Sequence, residues 1–275
     1  MSGSVLQVII LALIQGLTEF LPVSSSGHLV IAEALMGTDD PSGAGSIIFE
    51  VAVHVGTLGA VAVVYRKKIY EVLESLAGWL ASGLRMTPGN SEGVRYAGWI
   101  VAGSIPAAVV ALAFRDRIES LFGEPSIASA LLVVTGVLLY SSRDRRGVRG
   151  LDMRTVILIG VAQAVAILPG CSRSGWTISV ALIAGVGFGT AAEFSFLLSI
   201  PAILGALLLE LAGGSIIYTG SSIFLLATGT ATAFVAGLAA LRLLIYLLGR
   251  GSFYRFSWYL VPAGTLSLLY FLRTG

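Results

Sequence analysis

The chain has 275 residues, of which 56% are hydrophobic and 12% charged, with a mean hydropathy of +0.91 and a formal charge of +2. Ordinary soluble domains are about half apolar and about a quarter charged, so water is not the main solvent here, and so small a charge argues against nucleic-acid binding. The single cysteine, Cys171, excludes an intramolecular disulfide and a cysteine-cluster metal site.

Apolar stretches approaching the roughly 20 residues that cross a bilayer recur along the whole sequence, which predicts one membrane domain over 1–275. The opening stretch, Met1 to Leu21, has no basic leader and no small-residue cleavage site, and it carries Gln15 and Glu19, so it is expected to stay on the protein. It ends at Pro22, and a second short stretch, His28 to Met36, follows at once. The polar hinge between them, Pro22-Val-Ser-Ser-Ser-Gly27, would strand backbone groups in lipid, so it must be buried in protein or line a wet cavity. A re-entrant hairpin over 5–36 is the expectation.

Spans are then predicted near Ile47–Tyr65, Tyr96–Phe114 and Ile127–Tyr140. The first two flank a loop carrying Arg66, Lys67, Lys68, Arg85 and Arg95, and a mixed loop with Arg115, Asp116, Arg117, Glu119 and Glu124 precedes the third. After a basic loop holding Arg143, Arg145, Arg146, Arg149 and Arg154, the opening pattern returns. Val156–Leu168 breaks at Pro169-Gly-Cys-Ser-Arg-Ser-Gly175, and Trp176–Val186 resumes, a second hairpin over 155–187. Spans near Ala191–Leu211, Ser222–Leu248 and Trp258–Leu272 complete the chain.

Ser24-Ser25-Ser26-Gly27 can be laid over Ser172-Arg173-Ser174-Gly175, each behind a proline, and each hinge precedes a span with an acid near its start, Glu50 or Glu193. Three crossings separate the hairpins, an odd number. The expected fold is therefore an all-α polytopic membrane protein of about six transmembrane helices plus two re-entrant hairpins, built as an inverted-topology repeat of 1–141 and 155–275. The segments 66–95, 142–154 and 249–256 hold twelve of the seventeen Lys and Arg, which puts them inside and both termini outside.

The chemistry concentrates at the hinges. Gln15 and Glu19 share a helix face, and an acid within an apolar segment usually marks a site. Ser24, Ser25 and Ser26 suit helix capping, and His28 falls within a turn of Ser24 and Ser25, where it can activate a hydroxyl. His54, in mid-span, reads as a packing group. Arg173 lies deep in the second hinge and needs an anion. Its planar fork suits phosphate, with the Gly170–Gly175 backbone and the helix N-terminus beside it, while an internal ion pair with Glu19 or Glu193 is the alternative. Ser172, Ser174 and Thr177 are phosphate donors or caps. A hydroxyl nucleophile, an acid/base pair and an anion clamp reachable from lipid fit a lipid phosphate ester.

The stretch Gln15-Gly-Leu-Thr-Glu19-Phe-Leu-Pro-Val-Ser-Ser-Ser-Gly-His28 resembles the first signature of the undecaprenyl-diphosphate phosphatase (bacitracin-resistance) family, and Pro169-Gly-Cys-Ser-Arg-Ser-Gly-Trp-Thr177 resembles its second. Gly103-Ser-Ile-Pro-Ala-Ala and Ala192-Glu-Phe-Ser-Phe-Leu-Leu-Ser-Ile-Pro201 extend the likeness over essentially the whole chain. The resemblance implies hydrolysis of undecaprenyl diphosphate, or a similar polyprenyl diphosphate, to the monophosphate and inorganic phosphate, which recycles the lipid carrier of cell-envelope glycan synthesis. It also implies a divalent cation, Mg²⁺ or Ca²⁺, with Glu19 as a candidate ligand, a cell-membrane site opening outward, and a homodimer. By position Gln15 and Glu19 match the family's paired acids, Ser25 its proposed nucleophile, His28 its histidine and Arg173 its phosphate-binding arginine. The catalytic set is thus Ser25, His28, Glu19 and Arg173. Gln15, Ser24, Ser26, Gly170, Ser172, Ser174 and Thr177 are expected to bind substrate.

Gln15 stands where many members have Glu, which weakens a metal or base role there, and Cys171 and Trp176 alter the pocket wall. Ser25 attack with His28 managing the proton, and direct attack by His28, both remain open. Ser26-Gly27-His28 also occurs in phosphatidic-acid phosphatases, but the other elements of that pattern are missing, and Arg173 is too close to Cys171 for a Cys-x5-Arg loop. From another class, a polyprenyl-phosphate flippase would use the anion site without the nucleophile.

Overall fold

A computed structural model describes residues 5–36, 47–145, 147–212 and 223–274. Among these residues the chain is helical, with no strand beyond one isolated bridge between Arg149 and Val186. The first hairpin is α1 (Val5–Phe20) and α2 (Ser25–Met36), followed by α3 (Ile47–Val64). Where a basic loop is expected, Arg66–Ala81 forms a helix, α4, because Ile69, Val72, Leu76 and Trp79 recur at helical spacing behind its charged start. α5 (Ser91–Ala113) follows, and the mixed loop is likewise helical: α6 (Arg115–Leu121) is steadied by an Arg115–Glu119 pair at 2.7 Å.

α7 (Pro125–Ser141) leads to the second hairpin, α8 (Met153–Val165) and α9 (Arg173–Ile183), and α10 (Phe188–Ala212), α11 (Ile223–Gly249) and α12 (Ser257–Thr274) finish the fold. Among the described residues three helices are long and apolar enough to cross a membrane, α5, α10 through Leu208 and α11, with a fourth if α6 and α7 are one span bent by 94°. Of the six expected spans, α5, α10 and α11 meet that test and α7 does so together with α6, while α3 counts among the shorter apolar helices and α12 is not among them; α1 and α8, expected as hairpin halves, are short as expected. The loop 37–46, most of 212–221, Arg146 and the side chain of Glu50 lie outside the described residues.

Apolar exposure identifies the lipid side. On α5 only 17% of the spanning window is buried, and Val101, Ile105, Val109 and Leu112 form an exposed face, whereas 56% of the α10 window is inside. α10 supplies Phe194, Phe196 and Leu198 to the main core, where Phe20 at the end of α1 meets Phe196 edge-on at 5.7 Å. Aromatic contact of this kind fixes where α1 stops relative to α10.

Helices close on one another through small residues. A Cβ on Gly16 of α1 would lie 2.8 Å from the Ala233 carbonyl oxygen of α11, and one on Gly160 of α8 would lie 2.6 Å from the Gly103 oxygen of α5. Without a hydrophobic drive between helices in lipid, such close packing is a principal source of association. α1 packs on α11 and α8 on α5, so both hinges are carried into the interior.

Candidate active site

Each hinge turns through one residue of positive φ and caps the next helix with a serine, though the turn falls on the cap residue in the first hinge and two residues before it in the second. α1 ends before Pro22, Ser24 adopts a positive φ of 66°, and its Oγ accepts the Gly27 N–H at 3.2 Å, capping α2. In the second hinge Gly170 takes the positive φ, 91°, and Ser172 Oγ accepts the Gly175 N–H at 3.2 Å, capping α9. Ser26 sits 3.3 Å from Ser24 and Ser174 sits 3.3 Å from Ser172, oxygen to oxygen. The hinges also touch: a Cβ on Gly27 would fall 2.7 Å from the Gly170 Cα, and Ser174 Oγ donates to the Leu21 carbonyl at 3.4 Å. Only glycine at 27 permits that approach.

Across this contact Arg173 Nη2 donates to Glu19 Oε1 at 2.6 Å, with the side chains 15% and 11% exposed. The internal pair with Glu19, one of the two sequence readings of Arg173, is therefore formed, while Glu193 instead accepts from the Tyr96 hydroxyl at 3.2 Å. Gln15 Nε2 donates to the other Glu19 oxygen at 3.0 Å and lies 3.2 Å from His54 Nε2. A second carboxylate at position 15 would crowd the acid, whereas the amide supplies it a donor. A buried ion pair offsets its desolvation only when further hydrogen bonds complete it, and Glu19 has them. Arg173 does not: its Nη1 is buried with no partner among the described residues.

Glu19, Ser24, Ser25, Ser26, Ser172 and Arg173 surround one cavity with about 330 Å³ of empty space, so six of the expected site residues from two hinges converge. Cys171, expected in the pocket wall, lines it, whereas Trp176, expected there too, does not; Thr18 and Ala166 complete the wall and were not anticipated. The other expected residues stand back. Gly170 is a backbone turn whose oxygen accepts from Thr135, Ser174 links the hinges, and Thr177 is buried, bonded to the Arg173 carbonyl at 2.7 Å and to Ser195 Oγ at 2.6 Å.

His28 differs most from expectation. Its Nδ1 meets the Ser24 carbonyl oxygen at 2.8 Å and its Nε2 the Tyr259 hydroxyl at 2.7 Å, the two rings stacked at 5.6 Å, so both nitrogens are engaged away from Glu19. The sequence spacing placed His28 within a turn of the serines, but spacing alone does not determine which way the ring points. Tyr259 lies 231 residues away and carries no local signal. His54, read as packing, contacts Gln15 and borders a second space.

That second space is an apolar cleft with about 1500 Å³ of empty volume, open at one side and lined by α5, α8 and α10. Ala107, Ala111, Pro201 and Ala206 form much of its wall, and Arg173 and Ala166 border it as well as the serine cavity. The cation thus stands at the junction of a polar pocket and an apolar channel. Among the described residues no three His, Cys, Asp or Glu side chains converge as a ligand set. One carboxylate among hydroxyls still fits Mg²⁺, which is commonly held by one or two protein carboxylates together with substrate phosphates.

The family pattern described as bacitracin resistance protein BacA matches residues 8–266, a stretch that includes both hinges. The chain belongs to the BacA family. It is 42% identical over 273 residues to a protein of Desulfosudis oleivorans named undecaprenyl-diphosphatase, covering 96% of this chain and 97% of that one. Proteins of the same name from Korarchaeum cryptofilum and Treponema denticola are 38% and 35% identical, each with 98% of its length covered. Both the BacA pattern and these relatives extend past the hinges over the helices that form the apolar cleft.

Proposed function

We propose that this protein is an integral-membrane phosphatase that hydrolyses undecaprenyl diphosphate, or a close polyprenyl diphosphate, to the monophosphate and inorganic phosphate, recycling the carrier used in cell-wall glycan synthesis. One observation carries the reading: Arg173 joins a cavity walled by serines of both hinges to an apolar cleft. A diphosphate on a long hydrocarbon chain matches that division. Membership of BacA and the name borne by its relatives support the same substrate.

In the mechanism, the Ser24, Ser26 and Ser172 hydroxyls hold the terminal phosphate beside the Arg173 cation, and the N-termini of α2 and α9 add positive potential. Ser25, on the same wall, attacks the terminal phosphorus, its proton passing to Glu19. The bond to the bridging oxygen breaks and its electron pair leaves with the lipid monophosphate. Water then attacks the phosphoserine phosphorus, the bond to the Ser25 oxygen breaks, and that oxygen takes the proton back from Glu19, releasing inorganic phosphate and restoring both residues. His28 orients the first hinge through Ser24 and Tyr259. Glu19 is the residue that would hold a divalent cation, Mg²⁺ or Ca²⁺, which would neutralise phosphate charge when bound.

The test is phosphate release from a long-chain polyprenyl diphosphate by purified protein in detergent with Mg²⁺. Wild type should turn over, and Arg173→Ala and Ser25→Ala should each fall by at least about 100-fold. Full turnover by Ser25→Ala would move the attack to His28 or water, and a folded wild type without release would favour the flippase.

The topology belongs to the same reading. Matching caps in the two hinges, together with α1 on α11 and α8 on α5, support an inverted repeat of 1–141 and 155–275. With basic segments inside, both termini face outward in the cell membrane and the site opens to the outer face, as a homodimer in the family's manner. Cysteines placed in 66–95 and near residue 274 should react with an impermeant reagent from opposite sides.

A further inference from the structure

Two buried polar groups border the apolar cleft without partners. Gln163 of α8 is 3% exposed, and neither its Nε2 nor its Oε1 has a hydrogen-bond partner among the described residues. Arg173 Nη1 is in the same condition, and both residues line this cleft. Native proteins seldom bury an amide with none of its bonds made, and such a group calls for a ligand or water to complete it.

The repeat of the hinges gives a second, independent pointer. Gln163 precedes Ser172 by nine residues, as Gln15 precedes Ser24. Gln15 spends its amide on Glu19, four residues on, but the matching place in the second hinge is Ile167, which lines the cleft and can accept nothing. The second hinge has kept the amide and dropped the acid. Gln163 is also three residues before Ala166, which borders both the cleft and the serine cavity, so it stands on the lipid side of the junction.

We infer that Gln163 Nε2 and Arg173 Nη1 together hold the lipid-proximal phosphate of the diphosphate. This inference rests on the phosphatase reading above and assigns the subsite that it leaves open. With the terminal phosphate among the serines and the hydrocarbon in the cleft, the phosphate joined to the chain falls at the junction, where these two donors are unspent. When the bond from the terminal phosphorus to the bridging oxygen breaks, the electron pair and the negative charge stay on this phosphate. Donors aimed there stabilise the leaving group as well as the substrate. Gln163 Oε1 accepts from a water that enters with the headgroup.

The experiment compares the purified full chain with Gln163→Leu and Gln163→Met. For both variants kcat/KM on a long-chain polyprenyl diphosphate should fall about tenfold or more, the loss typical of one hydrogen bond to a charged group. Inhibition by polyprenyl monophosphate should weaken about as much, while inhibition by inorganic phosphate stays unchanged. The ligand-free thermal midpoint should hold or rise, since no protein bond is lost. Wild-type kcat/KM and monophosphate inhibition in the variants would overturn the inference, as would equal weakening toward both inhibitors. A fall in thermal midpoint, or failure of both variants to fold, would make Gln163 a structural group and overturn it too. Should wild type release no phosphate, the phosphatase reading fails instead, and direct binding of polyprenyl monophosphate to wild type and Gln163→Leu still decides the role of Gln163.

Discussion

At the scale of single residues, Arg173 is asked to do two things with one planar group: pair with Glu19 through Nη2 and leave Nη1 for substrate. A lysine can do only one, because it presents a point charge in place of a fork. Arg173→Lys should therefore fold, judged by an unchanged thermal midpoint, yet lose about tenfold or more in kcat/KM. Tyr259→Phe removes one hydrogen bond from His28 and should cost about fivefold in activity, as expected for a neutral bond of about 1 kcal/mol. A larger loss would mean that Tyr259 does more than orient the ring. Residue types in the hinges were readable as chemistry because a charge or a serine triplet has few other reasons to sit within apolar helices. Partners were not. Gln15 meeting His54, and His28 meeting Tyr259, depend on helix packing between segments that share no pattern.

Among the elements, the approach of the two hinges is the most demanding contact, since Gly27 and Gly170 meet backbone to backbone. Gly27→Ala adds a single methyl, but there is no flexible side chain to yield, so the hinges must part. Loss of both activity and thermal stability is expected, measured on one preparation. Asp152 caps α8 by accepting the Thr155 N–H at 2.8 Å, and this hydrogen bond holds its carboxyl below the ordinary carboxylate range. The lowered value means that the cap stabilises the protein above the usual carboxylate pKa and is lost as pH falls through the folded value. Asp152→Ala should thus lower the thermal midpoint at neutral pH, with the difference from wild type closing in acid. Helix positions were legible wherever apolar runs were long, as for α10 and α11. α4 and α6 were not, because their charges masked a helical spacing that continues beneath them. Span count was harder to read: α3 and α12 come from apolar runs expected to cross, yet neither is among the helices long and apolar enough to do so.

For the molecule as a whole, the cleft between α5, α8 and α10 should govern which lipids are accepted. Ala202→Phe would fill part of it, raising KM for a long-chain diphosphate while leaving a short-chain diphosphate unaffected. Nothing in the sequence announces this cleft, because its alanines and Pro201 look like any other small residues of packed membrane helices. Glu19 and Arg173 are separated by 154 positions along the chain. At a synthesis rate of about 5–20 residues per second, the acid is made roughly 8–30 seconds before its partner exists. A carboxylate in hydrocarbon without a counter-ion is costly, so the first hinge must wait at the wet edge of the bilayer until the second arrives. Insertion of this protein therefore has a waiting period written into its order of assembly, and a nascent chain stalled before residue 173 should still display its opening hairpin to water.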